Sequence, residues 1–525
     1  MGSASIKKNA ILVMVLTLIS SVLGFARESY IAYAFGASRY TDAYYVAFVV
    51  PDIIAGWIGF ALTNALIPVL KKEYQFSQRS GISLINHAFY FVFSVSILLT
   101  LFAYLFRNEI IELLAPAFTG EQREIGVQML TIMLFAIVFS AFSGLFGGIN
   151  NSFESYLFPA LVGIFFNSFF FLGLVGFEPF FGVNALAYGF LIGVVGRFTI
   201  QVIPLVKRKQ LTLRVTEMWH PKLTESVIGM LPIFLSQAVM QTNQIVDRIL
   251  ASGLPEGQVS NLNYASKLGL LPIGLIGSSI AVTTYTRFVN YHINSESTQA
   301  EALLNRAITW IMLAAFVIGG GFLFFGESLV SFFYYQGAFK LQDVETTTIL
   351  LKVYGGFALF YMLLPIISQY YFAQKGGKHL LLSSSISVII NISLGFLMAP
   401  IYGAVGLVVA SGIASFINVA ILYVIAIKKL RKHLFRNLGH IVMDVLPTGL
   451  LIWVGLFLVP ELWPTPGLKE KLLLLFRGVT ALIVSGIAVI AYVFTFRKGE
   501  VSEVILALVL RFIRKPNRTP IKEKL

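Results

Sequence analysis

The side chains with the greatest capacity for chemistry lie in residues 236–248, "SQAVMQTNQIVDR", inside an otherwise apolar segment. A helix over this segment would carry polar groups on two adjoining faces, with Gln237, Gln241, Gln244 and Arg248 on one and Ser236, Asn243 and Asp247 on the other. Hydrogen bonds between packed helices, worth about 1 kcal/mol each, would account for a single glutamine. Two polar faces that end in Asp-Arg favour a water-filled cavity instead.

A second charged group lies in residues 24–38, "GFARESYIAYAFGAS", after the uncharged run from Ala10 to Ala26. An ionised arginine inside a bilayer costs several kcal/mol unless it reaches the interface or faces water. A helix that begins near Ala10 places Arg27 about 26 Å along its axis. Arg27 is therefore either an interfacial cation paired with Glu28, or a cavity cation with Asp42 as its counter-charge at the same level.

The composition identifies the surrounding medium as lipid. The chain of 525 residues is 57% hydrophobic and 12% charged, with a mean hydropathy of +0.81, whereas soluble proteins average about 25% charged residues. Apolar runs of about 20 residues recur throughout, and backbone groups in hydrocarbon must bond internally, so an all-α integral membrane protein is predicted. The fourteen predicted spans are 10–36, 42–70, 83–106, 126–148, 157–177, 184–206, 225–250, 264–289, 306–328, 346–373, 380–400, 403–427, 440–459 and 474–496.

The charge distribution predicts the topology. If the N-terminus is cytoplasmic, most of the 39 Lys and Arg residues fall in cytoplasmic segments, as the positive-inside rule requires, and the C-terminus is cytoplasmic as well. The net charge of +14 therefore orients the protein and indicates contact with membrane lipids rather than nucleic acid. The absence of cysteine excludes disulfides and thiol chemistry.

Two basic loops divide the chain into six, six and two spans. We predict an N-lobe over 1–224, a C-lobe over 225–439, and two further transmembrane helices with a basic tail over 440–525. Similar Gly-rich helices near the start of each half suggest an internal repeat, which is characteristic of secondary transporters.

Two more polar groups fall near the predicted cavity. The segment "NYASKLGLLP" puts Lys267 beside the polar stretch, and "SSSISVIINISLGF" carries hydroxyls and Asn391. The chain has no HExxH, GxxxxGK[ST] or GxSxG motif and no Cys/His cluster, so no catalytic residue, metal or cofactor is predicted. Any work must be driven by a gradient.

The segment "VLGFARESYIAYAFGASRYTDAYYVAFVVPD" resembles the MurJ (MviN) family of lipid II flippases in the MOP exporter superfamily. The resemblance continues through "GGINNSFESYLFPALVGIFFNS", "NQIVDRILASGLPEGQVSNLNYASKLGLLPIG" and "YYFAQKGGKHLLLSSSISVIINI" and covers most of residues 10–430 in order. It implies two six-helix lobes around a V-shaped central cavity and two extra helices that form a lipid-tail groove. It also implies alternating access coupled to an ion or to the membrane potential.

The resemblance assigns roles to individual residues. Arg27 matches an essential cavity arginine, Asp42 the aspartate of the TDA motif, and Asp247 the aspartate of the VDR motif. The family's YADR motif stands here as YASK, with Ser266 and Lys267.

Three further positions depart from the family pattern, since Ser21 and Ala55 replace arginines and Leu270 replaces an acidic residue. The predicted cavity therefore keeps Arg27 and Lys267 as cations but has lost the family's charged groups at positions 21, 55 and 270.

The sequence thus predicts a flippase that moves an undecaprenyl-pyrophosphate-linked saccharide from the inner to the outer leaflet of the bacterial cytoplasmic membrane. Lipid II is the first candidate cargo, and capsule, O-antigen or teichuronic glycans are alternatives on the same fold. The predicted substrate-binding residues are Arg27, Asp42, Lys267, Gln237, Gln241, Gln244 and Arg248, and the predicted ion-coupling residues, for Na⁺ or H⁺, are Asp247, Asn243 and Asn391. Cell-wall synthesis proteins are candidate partners.

Two functions of other kinds are disfavoured. An integral polyprenyl glycosyltransferase would need a metal-binding acidic motif and a large outer loop, and both are missing from the sequence. A cationic-drug antiporter typically needs acidic cavity residues, whereas the candidates here are basic.

Overall fold

The computed structural model describes residues 3–208, 220, 222–225, 227–228, 245–374, 376–430, 445–447, 449–450 and 452–454. Helices account for nearly all of them, and no strand occurs within these ranges. The helices are α1 (Ser3–Phe35), α2 (Arg39–Ala47), α3 (Val49–Phe76), α4 (Gln78–Leu105), α5 (Arg107–Leu114), α6 (Gly120–Leu134), α7 (Ala136–Ser152), α8 (Leu157–Phe181), α9 (Ala185–Lys207), α10 (Gln258–Ile293), α11 (Ser297–Tyr334), α12 (Leu341–Ala373) and α13 (Gly377–Leu430). Residues 245–252 are also helical.

Eight helical stretches within the described residues are long and apolar enough to cross a membrane. Two of them contain two predicted spans each: Leu157–Lys207 is interrupted at Gly182, and Gly377–Ala426 is interrupted at Gly403, both with φ in the left-handed region. Predicted span two corresponds to α2 and α3, which are separated at Phe48. The prediction of an all-α membrane protein is confirmed, whereas predicted span fourteen and most of spans seven and thirteen lie outside the described residues.

The chain divides into two compact units. Unit 1 comprises Met1–Tyr264, Tyr334–Asp343 and Ile392–Leu407, and unit 2 comprises Ala265–Phe333, Val344–Asn391 and Val408–Leu525. The lobe boundaries predicted at 224/225 and 439/440 stay a prediction.

Unit 1 contains a buried apolar core between α3, α4 and α7. The rings of Phe89 and Phe142 stack with their centroids 4.6 Å apart, and Phe146 and Leu84 are buried beside them. Because lipid is as apolar as these side chains, shape complementarity and dispersion rather than water exclusion stabilise this contact.

Unit 2 is stabilised by hydrogen bonds from side-chain hydroxyls to backbone carbonyls. Within α13, Ser387 Oγ donates to the carbonyl of Ala414 at 2.8 Å across the bend at Gly403. Tyr371 Oη of α12 donates to the carbonyl of Leu422 at 2.6 Å. These bonds satisfy polar side chains that lipid would leave unpaired.

Small residues allow α8 and α9 to approach closely in unit 1. A Cβ atom on Gly193 would lie 2.8 Å from the carbonyl oxygen of Phe166, and one on Gly189 would lie 3.0 Å from that of Phe170. Glycines four residues apart on one face are a known means of bringing membrane helices into backbone contact. This contact fixes the part of α8 that carries Phe166, Asn167 and Phe170.

We therefore expect Gly193→Val to separate α9 from α8 and to lower the free energy of unfolding by about 1–3 kcal/mol, the usual cost of overpacking. The measurement is the thermal unfolding midpoint of the purified protein in detergent. Gly176→Val is the matched control, because nothing lies within 4 Å of a Cβ at Gly176 on the same helix pair. Equal midpoints for the two variants would contradict the close-contact interpretation.

Candidate functional site

Arg27 lies on α1 with its side chain only 14% exposed. Its Nη2 donates to Glu28 Oε1 at 2.6 Å, and its Nη1 donates to Asn167 Oδ1 at 3.1 Å. The guanidinium carbon lies 4.8 Å from the ring centroid of Phe170 and 5.4 Å from that of Phe166. The ion pair with Glu28, the hydrogen bond to the neutral amide of Asn167 and two aromatic faces thus stabilise this cation among apolar helices.

Asn167 connects α8 to α1 beside this arginine. Its Nδ2 donates to the carbonyl of Ser20 at 3.0 Å and to that of Gly163 at 2.9 Å. Because two carbonyls hold the amide nitrogen, the amide oxygen points at Arg27. A lone asparagine in an apolar span gives no signal of a site in the sequence, and the structure adds Asn167 to the site.

Glu28 is buried, with 4% of its surface exposed. Its Oε2 accepts a hydrogen bond from Tyr45 Oη of α2 at 2.8 Å. Tyr45 packs edge-on against Tyr264 of α10 with centroids 5.9 Å apart, and Tyr264 lies 5.0 Å from Tyr334. The Arg27–Glu28 pair is therefore enclosed by helices of unit 1 rather than extended along the surface of α1.

A second arginine approaches the same aromatic residue. Arg197 of α9 donates from Nη2 to Ser140 Oγ, and its guanidinium carbon lies 5.7 Å from the ring centroid of Phe166. Within the described part of the chain, the buried Nε of Arg27 and that of Arg197 have no hydrogen-bond partner. Unit 1 thus holds two cations with donors to spare.

Asp42 lies on α2 and is buried against the start of α10, with 2% of its surface exposed. Its Oδ2 accepts from the backbone N–H of Gly257 at 2.7 Å, and its Oδ1 accepts from the N–H of Ser260 at 2.8 Å and from Ser260 Oγ at 2.6 Å. The first N–H groups of a helix lack intrahelical partners and carry a partial positive charge, so a carboxylate stabilises them. Asp42 is the N-terminal cap of a helix more than two hundred residues away in sequence.

Asp42 therefore pairs with α10, and Glu28 is the counter-charge of Arg27. Of the two counter-charges that the sequence offered for Arg27, the structure shows Glu28, whereas the Asp42 carboxylate accepts from three donors at the start of α10. Substrate binding by Asp42 stays a prediction.

Further hydrogen bonds surround this cap. Tyr264 Oη donates to the carbonyl of Gly36 at 3.1 Å, and the N–H of Ala338 donates to the carbonyl of Tyr33 at 2.8 Å. Gly36 has φ +63, and a Cβ there would lie 2.5 Å from the carbonyl oxygen of Ala338. We call this part of unit 1 the clasp: residues 33–42, 257–264 and 337–339.

The other predicted site residues fall in several places. Arg248 donates from Nη2 to Asn263 Oδ1 at 3.3 Å, beside the half-buried Asp247. Lys267 is exposed on α10 and belongs to unit 2, as does the buried Asn391, which accepts from Ser411 Oγ at 3.2 Å. The remaining predicted residues, Gln237, Gln241, Asn243 and Gln244, lie outside the described residues.

A family model described as "Lipid II flippase MurJ" matches residues 31–477 of the chain. The chain belongs to the MurJ family. A probable lipid II flippase MurJ of Buchnera aphidicola subsp. Schizaphis graminum is 28% identical over 92% of this chain and 95% of the relative. The lipid II flippase MurJ of Burkholderia cenocepacia is 27% identical over 78% of this chain and 81% of its own.

Solved structures show the same fold. A lipid II flippase MurJ in an inward closed conformation aligns with a TM-score of 0.78 and 24% identity, covering 93% of this chain and all of that one. An inward-facing multidrug MATE transporter of the MOP superfamily aligns with a TM-score of 0.68 and 15% identity, covering 81% of this chain and 99% of that one. The resemblance in the sequence to the MurJ family is confirmed. Family membership makes the chain a multi-pass membrane transporter rather than an enzyme.

We expect Asp42→Asn to weaken the clasp, because the amide loses the charge and offers only one acceptor oxygen to the start of α10. Leaving a buried donor unsatisfied costs about 1–3 kcal/mol. Hydrogen exchange of the Gly257 and Ser260 amides should accelerate in the variant. The exposed Glu112→Gln, which removes one surface ion pair with Arg123, is the control and should leave both rates unchanged. Unchanged exchange in Asp42→Asn would contradict the capping role.

Proposed function

We propose that this protein is a lipid II flippase, which moves the undecaprenyl-pyrophosphate-linked precursor of peptidoglycan from the inner to the outer leaflet of the bacterial cytoplasmic membrane. Membership of the MurJ family supports the proposal, as do curated relatives with that name over most of the chain. The observation that carries it is Arg27, a largely buried cation with a donor to spare.

The chemistry of the cargo matches this arginine. A lipid-linked diphosphate has two to three negative charges and a headgroup that is too polar to cross hydrocarbon unaided. The planar guanidinium of Arg27 can give a phosphate two parallel hydrogen bonds, which are stronger and more directional than those of an ammonium group. Phe166 and Phe170 hold that plane in place. On the sequence pattern alone, we also propose a substrate-binding role for Lys267, Arg248, Gln237, Gln241 and Gln244.

The clasp supplies a two-state element for alternating access. Its hydrogen bonds join the end of α1 and the start of α2 to the start of α10, so these three segments separate only when the Asp42 cap breaks. Each hydrogen bond contributes about 1 kcal/mol net, so the closed and open states stay within a range that cargo and ion binding can shift. In our proposal the clasp is closed while cargo enters from the cytoplasm and opens to release it outside.

The membrane potential supplies part of the driving force. With both termini cytoplasmic, the cargo moves its negative charges out of a negative interior, a gain of about 2.3 kcal/mol per charge for each 100 mV. Asp247 is the proposed carboxylate ligand for a coupling Na⁺, because hard oxygen ligands suit that ion.

Depletion of the protein in its host tests the choice of cargo. If the protein moves lipid II, lipid II accumulates on the inner leaflet of depleted cells. Accumulation of a different undecaprenyl-linked glycan would instead favour the capsule, O-antigen or teichuronic alternatives, which share the diphosphate that Arg27 would bind.

In reconstituted vesicles, Arg27→Ala should reduce lipid II transport to background, because the diphosphate loses its main cation. Arg27→Lys should restore only part of it, because lysine lacks the forked donor geometry. Arg123→Ala is the control, since Arg123 forms an exposed ion pair with Glu112, and it should transport normally. Full activity of a normally inserted Arg27→Ala would remove this residue from the site.

Transport should depend on Na⁺ through Asp247. Replacing Na⁺ by K⁺ or choline at fixed pH and potential should slow the wild type, and Asp247→Asn should transport slowly and respond little to the exchange. Glu121→Gln, an exposed carboxylate paired with Arg39, should keep the wild-type dependence. A wild type that is indifferent to the ion, together with a fully active Asp247→Asn, would overturn the coupling proposal.

A further inference from the structure

The shortest contact of Arg27 is with Glu28, a residue that has no role in the proposed transport of the cargo. Its Nη2 lies 2.6 Å from Glu28 Oε1, a charge-assisted hydrogen bond between neighbours in sequence. The guanidinium that would bind a diphosphate therefore already holds an anion.

Glu28 is held in position from several helices. Tyr45 donates to its Oε2 at 2.8 Å, and the ring of Tyr45 packs against Tyr44 of α2 and Tyr264 of α10, which in turn contacts Tyr334 of α11. The carboxylate thus contacts Arg27 and Tyr45 beside a cluster of tyrosine rings. The carboxylate stays in place when Arg27 turns to another partner, because Tyr45 still binds it.

Glu28 and a diphosphate compete for the same cation. A phosphate bound to the guanidinium of Arg27 would stand within roughly 4–6 Å of the carboxylate, a range in which like charges repel strongly in a buried site. The asparagine and the two phenylalanines around Arg27 are neutral and would not oppose the phosphate.

We propose that Glu28 is the resident anion of the cargo site: it neutralises Arg27 when no cargo is bound, and it reclaims Arg27 and thereby expels the diphosphate at the release step. This inference rests on the proposed function, since it takes Arg27 as the cation that binds the cargo. A transporter gains nothing from holding its cargo tightly throughout the cycle, because binding must be weak enough for the cargo to leave. Because Glu28 competes with the diphosphate for Arg27, it weakens the binding of the cargo.

The inference is tested by measuring binding and transport in the same variants of the full chain. Undecaprenyl diphosphate is titrated into the purified protein in nanodiscs, and lipid II transport is measured in vesicles at saturating cargo. Glu28→Gln should bind the diphosphate about tenfold more tightly, which is within the usual range of coupling between two ligands. It should also transport several-fold more slowly, because release loses its competitor.

Glu178→Gln is the matched control. Glu178 accepts a hydrogen bond from Tyr30 at 2.9 Å, as Glu28 does from Tyr45, but no arginine within the described residues pairs with it. It should leave both affinity and rate unchanged.

Tyr45→Phe moves affinity in the opposite direction and keeps the charge of Glu28. Without the hydroxyl at Oε2, the carboxylate depends more on Arg27, so the diphosphate should bind several-fold more weakly. Tyr45→Phe therefore tests the inference even if Glu28→Gln does not fold.

Two results would overturn the inference: weaker binding in Glu28→Gln, which would make Glu28 a residue that orients Arg27, or binding equal to that of the wild type. Failure of the proposed function gives a different pattern, in which Arg27→Ala binds undecaprenyl diphosphate as well as the wild type does.

Discussion

A charge buried among apolar helices must have a partner, and this constraint determines how unit 1 is arranged. Arg27 is paired with Glu28, Asp42 with the first N–H groups of α10, and Arg197 with a serine hydroxyl and an aromatic ring. Each partner comes from a particular helix, so satisfying the charges also sets which helices meet. The close contact of α8 with α9 then fixes the aromatic residues on which two of these cations rest.

The two buried carboxylates of this region contribute in different ways. Asp42 accepts three hydrogen bonds from one helix start, a geometry that stabilises a closed arrangement of the clasp. Glu28 pairs with a single arginine, and in our proposal an incoming phosphate takes its place on that arginine. A transporter needs both kinds of bond, since one defines a conformational state and the other allows a charged cargo to bind and leave.

Much of this could be predicted from the sequence. Apolar runs predict the helices, Gly182 and Gly403 fall where long stretches are interrupted, and Arg27 is conspicuous as a charge within an apolar helix. The partner of Asp42 could not be predicted, because α10 begins more than two hundred residues later and nothing local indicates the contact. Asn167 was missed for a related reason: one asparagine in a span has no periodic signal, and its role depends on the position of α1.

A structure of the chain in nanodiscs with lipid II bound tests the central claim most directly, because it shows which anion the Arg27 guanidinium holds. The account predicts a diphosphate oxygen within hydrogen-bond distance of Arg27, about 3 Å, with the Glu28 carboxylate separated from Arg27 and still bonded to Tyr45. A bound diphosphate elsewhere in the protein, with the Arg27–Glu28 pair intact, would contradict it.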